Sequence, residues 1–312
     1  MTAFAFVFPG QGSQSVGMLQ AWGDHPAVRD TLAEASAALG EDIAKLVAEG
    51  PKEALDLTTN TQPVMLTAGI ACWRAWLAEG GAQPAAVAGH SLGEYTALVA
   101  AGALTLADAL PLVRFRAQAM QEAVPVGVGG MAAILGMDAD AVRAGCAEAA
   151  KLTGEAVEAV NFNDPKQTVI AGTKGAVEKA CEVLKAAGAK RALPLPVSAP
   201  FHSSLMKPAA DRLRDKLAAT AFAVPVIPVV NNIDVAVVES ADAIRDALYR
   251  QAFGPVRWVE TIQALKARGL THVIECGPGK VLAGMVKRID GELISTTVLD
   301  PASLAEAKGL LA

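Results

Sequence analysis

Apolar positions along this chain follow two rhythms, and the order in which they alternate predicts the fold. Residues 3–8 form a short run rich in Phe and Val that stops at Pro9-Gly10, as a buried strand does. Spacings of three and four then predict helices over 27–39 and 61–79. Pro84 introduces a small strand over 85–88, a turn at Gly89-His90-Ser91 and a helix over 92–101. Another helix, over 106–121, opens after Thr105, a residue type that caps helix starts. Strand followed by helix, repeated, predicts a mostly parallel sheet with helices on both faces, an α/β core of the hydrolase kind.

The middle of the chain changes rhythm. A turn-rich stretch at 124–130 leads to a strand over 131–135 and a helix over 139–150. Strands over 157–162 and 167–171 follow, parted by Asn163-Asp164-Pro165-Lys166, then a helix over 176–187 and a strand over 190–195. That order, βαββαβ, is the ferredoxin-like unit. Residues 124–197 are therefore expected to form a small α+β domain inserted into a larger α/β domain made of 1–123 and 198–312. Pro194, Pro196 and Pro200 mark its exit. A helix after His202, strands over 227–230 and 272–275, and a turn at Gly277-Pro278-Gly279 before another helix return the chain to the larger domain.

Composition narrows the classes. A chain of 312 residues holds one large domain or two unequal ones, and 52% hydrophobic residues exclude disorder. The four cysteines lie far apart, with no Cys-x-x-Cys and no paired His, so no metal site is expected and a reduced, cytoplasmic setting is. The mean hydropathy of +0.34 raises the question of a membrane. The longest strongly apolar stretch without a charge, Tyr95 to Ala107, is 13 residues, short of the ~18 that a spanning helix needs. The first apolar run has no Lys or Arg before it and breaks at Pro9, so it is not expected to be a secretion signal. A net charge of −5 argues against a nucleic-acid partner.

The strongest chemical signal is Gly89-His90-Ser91-Leu92-Gly93, a Gly-x-Ser-x-Gly between a predicted strand and a predicted helix. A tight turn there lifts the serine hydroxyl out of the sheet, and glycine on both sides lets strand and helix approach. It also sets Ser91 at a helix N-terminus, where a free backbone N–H, first that of Leu92, can stabilise an oxyanion. A serine needs a base, most often His. His25 stands at a helix start, His272 at a strand start, and His90 is too close along the chain to curl back onto Ser91. His202 remains, expected to open a helix after Pro200, a place that suits a base and equally suits a helix cap.

Six motifs then occur together and in order. They are Phe8-Pro9-Gly10-Gln11-Gly12-Ser13-Gln14, Thr61-Gln62-Pro63, the Gly-His-Ser-Leu-Gly-Glu elbow, Arg114-Phe115-Arg116 before Met120-Gln121, Pro200-Phe201-His202-Ser203, and Glu275-Cys276-Gly277-Pro278-Gly279. On these the whole chain resembles the malonyl-CoA:acyl-carrier-protein transacylases of bacterial fatty-acid synthesis. The resemblance implies that Ser91 is the acylated nucleophile and His202 its base and acid, oriented by a backbone carbonyl near Gln251. It implies a second oxyanion donor in the Gln11 backbone N–H and a carboxylate grip by the Arg116 guanidinium, with Gln251 also among the substrate-binding residues. One position departs, Ala117, where the family commonly has Gly. Asn161 and Asn163 match family asparagines near the pocket, with a turn role the alternative. The substrates implied are malonyl-CoA, a coenzyme A thioester, and holo acyl carrier protein, with no bound cofactor. A monomer is expected. Because the carrier is acidic in this pathway, docking requires a local basic patch, for which Lys166, Lys190 and Arg191 are candidates. A serine esterase or thioesterase, and a scaffold that only binds carrier protein, are the rival readings.

Overall fold

The structure, a computed structural model, describes residues 2–197 and 199–312; Ser198, expected at a domain boundary, lies outside them. Strand β1 (Phe4–Phe8) shows why the chain folds in layers. Its residues are all buried, and successive side chains face opposite ways. Phe4, Phe6 and Phe8 enter one core with Trp73 and Trp76, where the Phe6 and Trp76 rings meet edge-on at 5.2 Å. Ala5 and Val7 enter a second core with Trp258, Ile262 and Leu265. A strand buried on both faces needs helices on both faces.

β2 (Ala86–Gly89) pairs parallel with β1 in the register Phe8↔Gly89. The chain then builds a separate four-stranded antiparallel sheet from β3 (Gly129–Leu135), β4 (Val157–Asp164), β5 (Gln167–Thr173) and β6 (Arg191–Pro194). Its order, β4-β5-β3-β6, with helices Ala139–Thr153 and Lys174–Ala186 in the connections, has the ferredoxin-like topology that the sequence order predicts. β7 (Val229–Val230), β8 (His272–Cys276) and β9 (Ile294–Val298) complete the first sheet in the order β7-β2-β1-β8-β9, every pair parallel.

Two differences from the sequence reading have plain causes. The strand expected over 227–230 shrinks to β7, because Pro228 has no N–H for a ladder and offers only its carbonyl, to Val87. β9 and helices Ile43–Glu49, Lys52–Leu55, Ala241–Gln251, Trp258–Ala267 and Pro301–Leu311 have no counterpart in that reading. β9 reads Ile-Ser-Thr-Thr-Val at a sheet edge with Ile294 exposed, too polar a run to stand out.

The two sheets meet at β4. Val256, in the segment before helix Trp258–Ala267, donates to Val160 O at 2.8 Å and accepts from Phe162 N at 3.0 Å. Arg288 adds a bond to Asp164 at 2.7 Å. The Glu275-Cys276-Gly277 motif serves the fold. Glu275, buried at the end of β8, accepts from Ala283 N at 2.8 Å and so caps helix Val281–Ile289.

Two glycines give opposite expectations for substitution. A Cβ on Gly93 would stand 2.0 Å from Phe8 O, whereas one on Gly309, exposed in helix Pro301–Leu311, would meet nothing within 4 Å. Gly93→Ala should lose about 3 kcal/mol in thermal or urea unfolding, and Gly309→Ala should gain about 0.5–1 kcal/mol. Equal effects would contradict the close packing inferred at the elbow.

Candidate active site

All strands of the parallel sheet deliver their carboxyl ends to one edge, where ligands bind in open α/β sheets. β1 runs into the turn that carries Gln11, β2 into the elbow, and β7 into Asn231-Asn232. Ser91 has φ of 52°, a left-handed conformation that a non-glycine residue adopts only under constraint. The constraint is visible. A Cβ on Gly89 would lie 1.9 Å from the Gly93 carbonyl carbon, so strand and helix touch backbone to backbone. Asn232 staples the turn, donating from Nδ2 to Gly89 O and accepting at Oδ1 from Ser91 N, each at 2.7 Å. The Ser91 N–H is thus engaged. Leu92, at the start of helix Gly93–Ala100 and on the cavity wall, follows it.

His202 Nε2 lies 2.7 Å from Ser91 Oγ, and its Nδ1 lies 2.9 Å from Gln251 O. A carbonyl can only accept, so the proton sits on Nδ1 and the Nε2 lone pair faces the hydroxyl. This is the geometry of a nucleophile with its base. His202 does not open a helix. It sits at φ 66° in a turn ahead of the 3-10 turn Ser204–Met206 and helix Lys207–Ala219, with Ser203 folded back onto Pro200 O at 2.7 Å. Burial, and after it the charge of Arg116, push the imidazole from 6.5 down to about 3, so it is neutral near pH 7.

Arg116 comes from helix Leu106–Glu122 and is buried. Its Nη1 donates to Gln62 Oε1 at 2.8 Å, and its Nη2 to Gln251 Oε1 at 3.1 Å and to Ser91 Oγ at 3.2 Å. Both stable partners are neutral amides. Arg114, two residues earlier, turns outward and pairs with both oxygens of Glu41. The Gln251 amide donates in turn to Ser91 O at 3.0 Å and to the buried Glu94 Oε2 at 2.9 Å. Glu94 Oε2 also accepts from Asn232 N at 2.8 Å, and burial raises its carboxyl to about 7.

These groups open on a cavity of about 530 Å³ lined by Gln11, Gln62, Ser91, Leu92, Arg116 and His202 on one side and by Met131, Asn161 and Val169 on the other. Asn163 is not on its wall; it is buried and bonds His90 at 2.8 Å, the histidine ring resting edge-on against Trp258. Gln251 lies beneath the wall. Lys166, Lys190 and Arg191 are exposed at the Leu135 end of the four-stranded sheet, away from the Met131 end that faces the cavity. Lys52, held by Asp56, lines the cavity instead. Gln251, expected among the substrate-binding residues, instead holds Arg116 and His202 from beneath the wall, while Asn232 and Gln62 have no role in the sequence reading; a polar pair directly after β7 is the available signal for Asn232. Among the described residues no group of His, Cys, Asp and Glu could hold a metal ion, and no helix is long and apolar enough to cross a membrane.

The chain is similar to known proteins over nearly its whole length. Residues 5–296 match the family described as acyl transferase domain. A malonyl CoA-acyl carrier protein transacylase of Salmonella typhimurium is 55% identical over 98% of this chain and 99% of its own length. An acyl-carrier-protein S-malonyltransferase from Burkholderia pseudomallei is 70% identical, with a TM-score of 0.97 over 99% of this chain and all of the other. A malonyl-transacylase solved in complex with its type II PKS acyl-carrier protein is 51% identical, with a TM-score of 0.97 over 99% of this chain and all of that one. The chain belongs to the acyl transferase domain family and, within it, to the malonyl CoA-acyl carrier protein transacylases.

Proposed function

We propose that this protein transfers the malonyl group of malonyl-CoA to the phosphopantetheine thiol of an acyl carrier protein, through a malonyl ester on Ser91, and so supplies fatty-acid synthesis. The observation that carries the proposal is a buried arginine without a carboxylate partner among the described residues, 3.2 Å from a serine hydroxyl that is itself paired with a neutral histidine. An acyl group that ends in a free carboxylate complements that arrangement. An acetyl group leaves the cation unmatched.

In the first half-reaction Ser91 Oγ attacks the thioester carbon and its proton passes to His202 Nε2. The Leu92 and Gln11 backbone N–H groups receive the oxyanion, and the imidazolium proton goes to the departing thiolate of coenzyme A. In the second, the carrier thiol gives its proton to His202, attacks the serine ester and leaves with the malonyl group as Ser91 Oγ recovers its proton. Arg116 holds the distal carboxylate throughout by charge-assisted hydrogen bonds. Asn161, on the cavity wall, is placed to meet the substrate, whereas Asn163 acts through His90. The chemistry calls for no metal or prosthetic group.

The cleft is read as the seam between an inserted unit, 124–197, and a catalytic unit of 1–123 with 198–312; all four antiparallel strands fall between 129 and 194, which supports that division. We further propose a cytoplasmic monomer.

Three measurements test the proposal. Intact-protein mass spectrometry after mixing with malonyl-CoA should find one malonyl adduct, on Ser91 and absent from Ser91→Ala, that holo carrier protein discharges. Release of free malonate at the same rate with or without carrier protein would point to a hydrolase, and no adduct at all to a scaffold. Arg116→Ala should lower malonyl kcat/KM by about a hundredfold or more, the scale of a buried charge-assisted pair, while acetyl transfer persists. Parallel losses would refute the carboxylate grip. The depressed His202 fixes the sign of the pH dependence. Its neutral, reactive form survives well below the ordinary imidazole range, so acetyl-CoA kcat/KM, which does not use the carboxylate grip, should show no acid limb from neutrality to about pH 5. In Arg116→Ala, with one cause of the depression removed, the acid limb for acetyl-CoA should move upward.

A further inference from the structure

Arg116 has no carboxylate within 4.0 Å among the described residues, yet an acidic side chain lies one residue beyond its partner. The path is continuous. Arg116 Nη2 donates to Gln251 Oε1 at 3.1 Å, and the same amide donates from Nε2 to Glu94 Oε2 at 2.9 Å. All of these side chains are buried. We propose that Glu94 is a specificity-positioning residue: an insulated counter-charge that aims Arg116 through the Gln251 amide without neutralising it. This rests on the reading that Arg116 receives the substrate carboxylate.

Glu94 Oε2 already accepts from Asn232 N, and with Ser91 O it calls for a donor, so Gln251 turns its NH2 group toward these two oxygens and the amide oxygen must then face the other way. That oxygen meets the guanidinium, which only donates. Flipping the amide would set NH2 against Arg116 and a carbonyl oxygen against Glu94, two repulsive contacts in place of two attractive ones. Glu94 is itself fixed by the backbone N–H of Asn232 at 2.8 Å, so the amide has one orientation and the guanidinium one resting place, against Ser91 Oγ.

Insulation matters as much as aim. A carboxylate in direct contact with Arg116 would occupy the donors that the malonyl carboxylate needs, and the site would lose its preference. With an amide between them, the negative charge lowers the cost of burying the cation but leaves both guanidinium edges bonded only to neutral oxygens. The charged and titratable groups around Glu94 fit this balance. Arg116 favours its ionised form, and Asp234, beyond β7, disfavours it while being held by Arg250 on the surface. Tyr95, the next residue, lies with its ring 5.4 Å from the Arg116 guanidinium carbon.

Steady-state transfer of malonyl and acetyl groups from their coenzyme A thioesters to holo carrier protein tests the idea in Glu94→Gln, in the exchange pair Glu94→Gln with Gln251→Glu, and in Arg116→Ala. In Glu94→Gln the malonyl-to-acetyl ratio of kcat/KM should fall about tenfold, mostly through a higher malonyl KM, because one of the two acceptors that hold the amide is replaced by a neutral group that can also donate, leaving Ser91 O as the other. The exchange pair keeps the charge count and restores a donor–acceptor match between the two positions, but it brings a carboxylate against Arg116. Its ratio should fall further, and it carries the test if Glu94→Gln does not fold. Malonyl and acetyl rates falling in parallel in Glu94→Gln would mean that Glu94 only supports the structure. A wild-type ratio in the exchange pair would also overturn the proposal. Arg116→Ala separates this from the parent reading: if its ratio is unchanged, the carboxylate grip itself is wrong, whereas a collapsed ratio there with a normal one in the Glu94 variants removes only the relay.

Discussion

The constraint on which the rest of the site depends is a cation buried beside a serine hydroxyl. Taking a guanidinium out of water is costly unless its donors are satisfied. Here two of its nitrogens are satisfied by the side-chain oxygens of Gln62 and Gln251, contributed by helices Thr58–Ala78 and Ala241–Gln251. Amides accept from Nη1 and Nη2 without cancelling the charge, and Nε has no partner among the described residues. The same charge works on His202, where it adds to burial in holding the imidazole neutral. One positive group therefore bears on the two steps assigned to the pocket, recognition of a distal carboxylate and readiness of the base.

Holding these groups together requires backbone in uncommon conformations. Ser91 and His202, the two residues whose side chains meet at 2.7 Å, both have positive φ, and such residues persist only where their surroundings over-determine them. Asn232 ties the two ends of the elbow, and the fold of Ser203 onto Pro200 ties the His202 turn. Gln251 bonds His202 through its carbonyl and both Arg116 and Ser91 O through its side chain. Its place at the last turn of helix Ala241–Gln251 lets main chain and side chain face the same pocket.

How much of this could be read from the sequence follows from how local each feature is. β1, the elbow strand and the βαββαβ run announce themselves through short-range periodicity and turn residues, because burial on both faces or on one face imposes a period on neighbours. Helix Ala241–Gln251 carries a short stripe at helical spacing, Ile244, Ala247 and Leu248, which Gln251 continues; a polar residue at the end of such a stripe gives no sign of its partners, so the bonds of the Gln251 side chain to Arg116 and Glu94 could not be read although its carbonyl followed from family resemblance. Asn232 shows in the sequence only as one of a polar pair after a strand, and its role stays hidden because it bonds residues about 140 positions earlier. The basic residues Lys166, Lys190 and Arg191 are neighbours at one end of a sheet, as their strand positions imply, but only the register shows that it is the end away from the cavity.

The antiparallel sheet takes part in the site through its joint with the parallel one. The backbone of β4 is hydrogen-bonded to Val256 on both sides of Asn161, which sets that residue on the cavity wall. Two residues on, Asn163 bonds His90, the neighbour of Ser91, whose backbone closes against the Gly10 turn; a Cβ on Gly10 would lie 2.5 Å from His90 O. The strand edge, the elbow and the turn bearing Gln11 thus bear on one another through main chain and one imidazole. A shift of β4 would act on His90 and Asn161 together, so the wall facing a substrate and the turn holding the serine cannot be adjusted separately. Chain order gives a reason for the arrangement: the antiparallel strands all fall between helix Leu106–Glu122, which carries Arg116, and the turn that carries His202. Segments that leave the parallel sheet after the arginine and return before the histidine are well placed to roof the space between them.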